Sequence, residues 1–227
     1  SRLGVGATAL GAALGASILP GRAQSAAAAA AGAWQPARHT EDDWFEQPST
    51  KHRFFLDTTS PAALGHALLF ANNYFNASRS SYGLADADSA VVICVRHQST
   101  SFAFTDAMWA KYGAMLSERA AFTDPRTTTA PTINVFLATA AAGYGALLPN
   151  NGVTLDAVIK QGLRLAVCSL ATRAIAGLIA QRTGGKADDI VKELTDNLVP
   201  NAHMVPAGIV AVNRAQERGY SFASVVS

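Results

Sequence analysis

The chain has 227 residues, 49% of them hydrophobic, which is enough for one well-packed core. Its formal charge is +2, but Arg2 and Arg22 are the only charged side chains before Gly32, so the remainder balances acid against base. With no basic block in that remainder, a nucleic-acid partner is not expected.

Leu3 to Leu19 is weakly apolar and rich in Gly and Ala. It follows Arg2 and precedes Pro20-Gly21-Arg22 and the run Ala26 to Ala31. A basic end, an apolar middle and a small-residue zone are the layout of an export signal. The Gly and Ala content resembles twin-arginine signals, with Ser1-Arg2 as the trimmed tail of the arginine pair. The apolar stretch is short and poor in bulky residues for a membrane span, which needs about 20 strongly apolar residues. Residues 1–31 are therefore expected to be an export signal cleaved between about Gln24 and Gly32. The mature protein would be periplasmic, with no stable membrane span. An Ala-rich leader or an uncleaved anchor is the alternative.

Residues 32–51 read as an irregular arm whose Trp34, Trp44 and Phe45 should pack on their own domain or on a neighbouring subunit. Residues 52–227 read as one domain. Arg53 to Asp57 is a short strand. Ser60-Pro61 then opens a helix, with Ser as cap and Pro in the first turn. Leu64, Leu68, Ala71 and Phe75 repeat at helical spacing down to about Asn76. Ala90 to Val95 is continuously apolar, as a parallel strand covered on both faces should be. A polar loop, Arg96 to Thr100, follows it. Phe102 to Tyr112 reads as an aromatic helix. Thr123 to Pro131 is a loop, and Ile133 to Leu137 is a short strand or extended segment. Thr154 caps a short helix to Gln161. Leu163 to Val167 is a buried strand, and Leu170 to Gln181 is a helix. Ala187 to Leu198 is a further helix, and Ala202 to Val205 a short strand. A helix from Pro206 to about Arg218 ends at Gly219, and Tyr220 to Val226 is the last strand. This alternation predicts an α/β fold: one domain, with a mostly parallel sheet covered by helices on both faces.

Cys168 is the main chemical lead, because it falls on the turn between a buried strand and a helix. The carboxyl ends of parallel strands form the crevice where ligands bind. A thiol there also feels the positive end of the helix dipole. The plain alternative is a small buried apolar residue. Cys94 sits within an apolar strand and reads as packing. The two cysteines could pair in an oxidising compartment, and spacing alone leaves that open. His97, just past a strand end, is a candidate acid, base or ligand, and Arg96 beside it a candidate anion holder. Arg173, one helical turn past Cys168, could stabilise a thiolate. His203 could approach Cys168 if their strands are neighbours, and would then activate the thiol. Against these stand a capping pair for Arg96 and His97 and a solvated helix face for Arg173. A metal site from His97, His203 and Cys168 is a less favoured option; neither metal nor cofactor is expected.

Three stretches together resemble the DsrE/DsrF-like (YchN-like) family. They are Leu165 to Arg173 around Cys168, Val205 to Tyr220, and Val91 to His97 followed by Asp106-Ala107-Met108-Trp109. The resemblance spans roughly residues 51–227. It implies a five-stranded α/β sheet and assembly into trimers or hexamers. It also implies a sulfur-relay role, in which a Cys after an inner strand carries a persulfide between partner proteins; Cys168 stands where that Cys would be. The chain departs from the pattern in its export signal and in an insertion at about Ala121 to Gly152. The expected function is an exported protein that handles sulfur, or a small thiol-reactive ligand, through Cys168. A sulfur-carrier protein or a small ligand would be its partner. The alternative is a non-enzymatic periplasmic binding or scaffold oligomer. The aromatic segment Phe102 to Tyr112 is expected at the subunit interface.

Overall fold

The continuous apolar runs become the inner strands of one parallel sheet. A computed structural model describes residues 34–47, 50–138 and 143–226. The expected export signal lies outside the described residues. The chain divides into two units, Ser1–Arg38 and His39–Ser227, and the sheet and its helices belong to the second.

Five strands form the sheet: β1 (His52–Thr58), β2 (Ser89–Val95), β3 (Arg164–Cys168), β4 (Ala202–Val205) and β5 (Ser221–Ser224). Their order is β4-β3-β2-β1-β5, and every pairing is parallel. All carboxyl ends therefore meet along one edge. The six α-helices of the described residues are α1 (Pro61–Tyr82), α2 (Asp106–Ala120), α3 (Leu155–Lys160), α4 (Ser169–Thr183), α5 (Ala187–Asp196) and α6 (Gly208–Glu217). The α/β class and the helices on both faces are as the sequence predicts.

Side-chain alternation splits the sheet into two cores. Leu56, Val91, Ile93, Val95, Leu165 and Val167 face the larger one, packed against α1 to α5. Phe55, Ala90, Val92, Cys94 and Ala166 face the smaller one, under α6. The arm completes that second core. A 3-10 turn, Thr40–Phe45, places Phe45 at 0% exposure, and the Tyr220 hydroxyl donates to its carbonyl at 2.6 Å. Trp44 stacks on Phe45 and, at 4.4 Å, on His203. Trp44 and Phe45 thus pack on their own domain.

Local signals act as expected at several helix ends. Ser60 Oγ accepts the Ala63 N–H at 3.1 Å, and Thr154 Oγ1 accepts that of Ala157 at 3.2 Å. Helix α1 runs past Asn76 to Tyr82, where Gly83 ends it at φ +64°.

The aromatic segment differs from expectation. A 3-10 stretch, His97–Ala103, precedes α2, and the helix itself starts only at Asp106. Phe104 is spent on an antiparallel bridge to Leu198, while the Asn134 amide donates to the carbonyls of Phe102 and Phe104. Phe102 and Trp109 are fully buried, stacked 5.0 Å apart, with Phe122 and Phe136 edge-on to Phe102. Phe102 and Trp109 are core, so they provide no surface for a subunit contact.

The insertion contains no strand among its described residues. Turns and one 3-10 turn carry the chain across the larger core, and side chains fix them. Tyr144 donates to buried Asp124 at 2.6 Å, and burial, together with this bond, pushes the Tyr144 phenol up to about 12. Gly113 in α2 admits the insertion at close range: a Cβ there would stand 2.3 Å from the Pro131 carbonyl oxygen.

Candidate functional site

Cys168 is the last residue of β3 and the N-cap of α4. Its side chain lies on the α6 side of the sheet, 7% exposed, at the edge where the carboxyl ends meet. Helix α6 crosses that face and brings its own first residues, Ala207 and Gly208, to the same place. Neither α4 nor α6 has a side-chain cap at its N-terminus. The result is a cleft of about 250 Å³ lined by Arg96, His97, Arg119, Cys168, Leu170 and Gly208, among others. The two uncapped helix N-termini and the Arg119 guanidinium give it a positive character, and among the described residues no acidic side chain lines it.

Arg96 sits one residue beyond the Val95–Val167 pair that joins β2 to β3. Its Nε and Nη2 donate to the two carboxylate oxygens of Asp57, each at 2.8 Å. Asp57 is 4% exposed and the Arg96 side chain 20%. A forked pair of this kind fixes the guanidinium plane and cancels most of its charge. The hydrogen bond with Asp57 raises the Arg96 pKa further. Ser99, fully buried, accepts the Arg96 N–H at 3.0 Å and so ties the turn to the end of β2. His97 follows at φ +54°, a left-handed conformation that costs a residue with a side chain about 1–3 kcal/mol. The turn leaves its imidazole exposed beside the cleft.

Cys94 lies below this layer, fully buried, with Sγ 3.7 Å from the Gly208 carbonyl oxygen. Burial, with the Asp57 charge beside it, pushes the Cys94 thiol well up. Gly208 makes the close approach possible: a Cβ there would stand 2.7 Å from Arg96 Cβ and Cδ and 3.1 Å from Cys94 Sγ. Both cysteines are free thiols. Cys168 opens on the cleft, whereas Cys94 is sealed beneath Gly208.

Cys168, Arg96 and His97, expected at the site, come together there. The strands of Cys168 and His203 are neighbours, as that expectation required, but His203 pairs in register with Ala166 and lies against Trp44. Half-buried, it has its pKa lowered by desolvation and by Arg164. It does not line the cleft. Arg173 is also off the cleft, exposed on α4 and 3.8 Å from Asp188. Among the described residues no three His, Cys, Asp or Glu side chains come together as a metal site, so His97, His203 and Cys168 do not form one.

Arg119 was not foreseen. It lies in the last turn of α2, half-buried, and its side chain makes no hydrogen bond or ion pair among the described residues. Nothing in the sequence around it signals a ligand; only the packing of α2 beside α4 brings it to the cleft. No helix of the described residues is long and apolar enough to cross a membrane. No protein-family model, no curated protein and no solved structure matches this chain.

Proposed function

We propose that this chain is a DsrE-like sulfur-handling protein in which Cys168 accepts a sulfane sulfur. The observation that carries the proposal is the position of Cys168: a thiol at the first turn of α4, opening on a cleft lined by basic side chains. The reaction is a transfer between persulfides. The Cys168 thiolate attacks the outer sulfur of a donor R–S–SH, the donor S–S bond breaks, R–S⁻ leaves, and Cys168 becomes Cys–S–SH. No oxidant or reductant is consumed. Leu170 and Ile209 rim the cleft at 63% and 62% exposure, an apolar margin suited to a carrier protein or a second subunit. The periplasmic location rests on the leader layout, and assembly as a trimer or hexamer on the family resemblance alone.

The 7% exposure of Cys168 favours a second reading, a binding protein with no chemistry at the thiol. One experiment separates the two. The chain is incubated with glutathione persulfide, alkylated, and its intact mass and peptides are measured. A gain of one sulfur on the Cys168 peptide, lost in Cys168→Ser, supports sulfur transfer. A Cys168 that neither gains sulfur nor alkylates in the folded protein refutes it.

A further inference from the structure

Beside the Cys168 cleft, at the same edge of the sheet, lies a second cavity of about 350 Å³. Its walls are the first residues of α1 and the insertion, where Pro61, Phe122, Phe136, Leu148 and Pro149 present apolar surface. Two chain segments form the ridge between the cavities. His97 lines the cleft and the next residue, Gln98, lines the apolar cavity; Arg119 lines the cleft and Ala121 the apolar cavity. Left-handed residues, His97 at φ +54° and Ala121 at φ +48°, turn the chain at both points of the ridge.

Neither cavity has the makings of a complete site. The cleft is smaller than the roughly 300–1,000 Å³ usual for ligands. The second cavity has apolar walls but no charged group to orient a ligand. Arg119 lines the cleft, two residues before Ala121 of the apolar cavity, without a partner among the described residues. A guanidinium with no protein partner offers its planar fork of donors to a carboxylate or similar anion. We infer that the two cavities form one site for a small amphiphilic acid. Its apolar body lies under the insertion, and its anionic head meets Arg119 and His97. The apolar cavity holds one short chain, so the ligand is a free small molecule. This goes beyond sulfur transfer and does not depend on it: ligand binding is read by titration and sulfur transfer by mass, and either can fail alone.

The test is titration calorimetry of the full chain with octanoate, acetate and 1-octanol. Each methylene removed from water is worth about fourfold in binding. Octanoate is expected to bind at least tenfold tighter than acetate. Arg119→Gln should weaken octanoate at least fivefold and leave octanol unchanged. Leu147→Asp, at a 58% exposed position on the cavity wall, should weaken octanoate at least fivefold and leave acetate unchanged. Neither side chain is buried, and an unchanged melting temperature confirms folding. Equal affinity for octanoate and acetate, or octanoate binding that survives both variants, overturns the proposal. So does binding to phosphatidylglycerol vesicles that octanoate competes away, which would assign the site to a lipid headgroup.

Discussion

Replacing Asp57 with Asn should be among the more damaging conservative changes near the site. The carboxylate is 4% exposed and meets Arg96 through two bonds of 2.8 Å. Asn offers one acceptor and turns an N–H₂ toward a group that can only donate. Removing one partner of a buried ion pair costs about 3–5 kcal/mol, because the other charge is left without compensation. The Arg96 side chain keeps 20% of its exposure and so some water, which brings the expected loss to about 2–3 kcal/mol. With a urea m value of about 2 kcal/mol/M for a domain of this size, the unfolding midpoint should fall by about 1 M. The assay is equilibrium urea unfolding of wild type, Asp57→Asn, Arg96→Met and the double variant. The double should be less damaged than the two singles added, by at least about 1.5 kcal/mol. A loss under about 0.5 kcal/mol for Asp57→Asn, with additive singles, would refute the pairing as a stabilising unit.

Gly113→Ala should cost about 1–3 kcal/mol, because its Cβ would stand 2.3 Å from the Pro131 carbonyl oxygen and the insertion backbone would have to move; a stability equal to or above wild type in urea unfolding would contradict that packing. Alkaline stability should depend on Cys94. Its folded pKa is raised, chiefly by burial, so its contribution is full below the unfolded thiol value of about 8.5 and is lost as pH rises toward the folded value. Between pH 9 and 10 wild type should lose about 1 kcal/mol more than Cys94→Ala in urea unfolding, and parallel losses would exclude Cys94 as the cause.

Much of the sheet was legible because its inner strands are buried on both faces and so read as unbroken apolar runs. Val91 to Val95 and Leu165 to Val167 needed no tertiary information. Caps with a direct chemical mechanism, Ser60 and Thr154, were legible for the same reason. The aromatic segment was misread because periodicity cannot show that Phe104 is taken by Leu198 and that Asn134 clamps the carbonyls on either side of Ala103. Both partners lie in distant parts of the chain. The turns of the insertion are likewise held by contacts such as Tyr144 to Asp124, which leave no local pattern. At the site, Cys168, Arg96 and His97 were legible because each lies at the carboxyl end of a strand or just past it. His203 follows no strand end and points to a different layer of the same face. Arg119 is a helix-end arginine like any other until α2 packs beside α4.

The two thiols show how topology rather than local sequence decides which cysteine is available. Both lie on the α6 side of the sheet, near the carboxyl ends of adjacent strands. The crossover from β4 to β5 must pass over the whole sheet, because β5 joins at β1, on the far side from β4. That crossing lays the start of α6 over the end of β2, where Gly208 has no Cβ to hold it off Arg96 and Cys94. Cys94 is thereby sealed, and its ionised form is penalised by desolvation. Cys168, one strand over and two residues nearer the edge, escapes the seal and opens on the cleft beside α6. The asymmetry rests on a glycine 40 residues after the thiol it leaves open and 114 residues after the thiol it covers. The crossover thus leaves one thiol at the edge of the cleft and seals the other beneath it, with no disulfide between them.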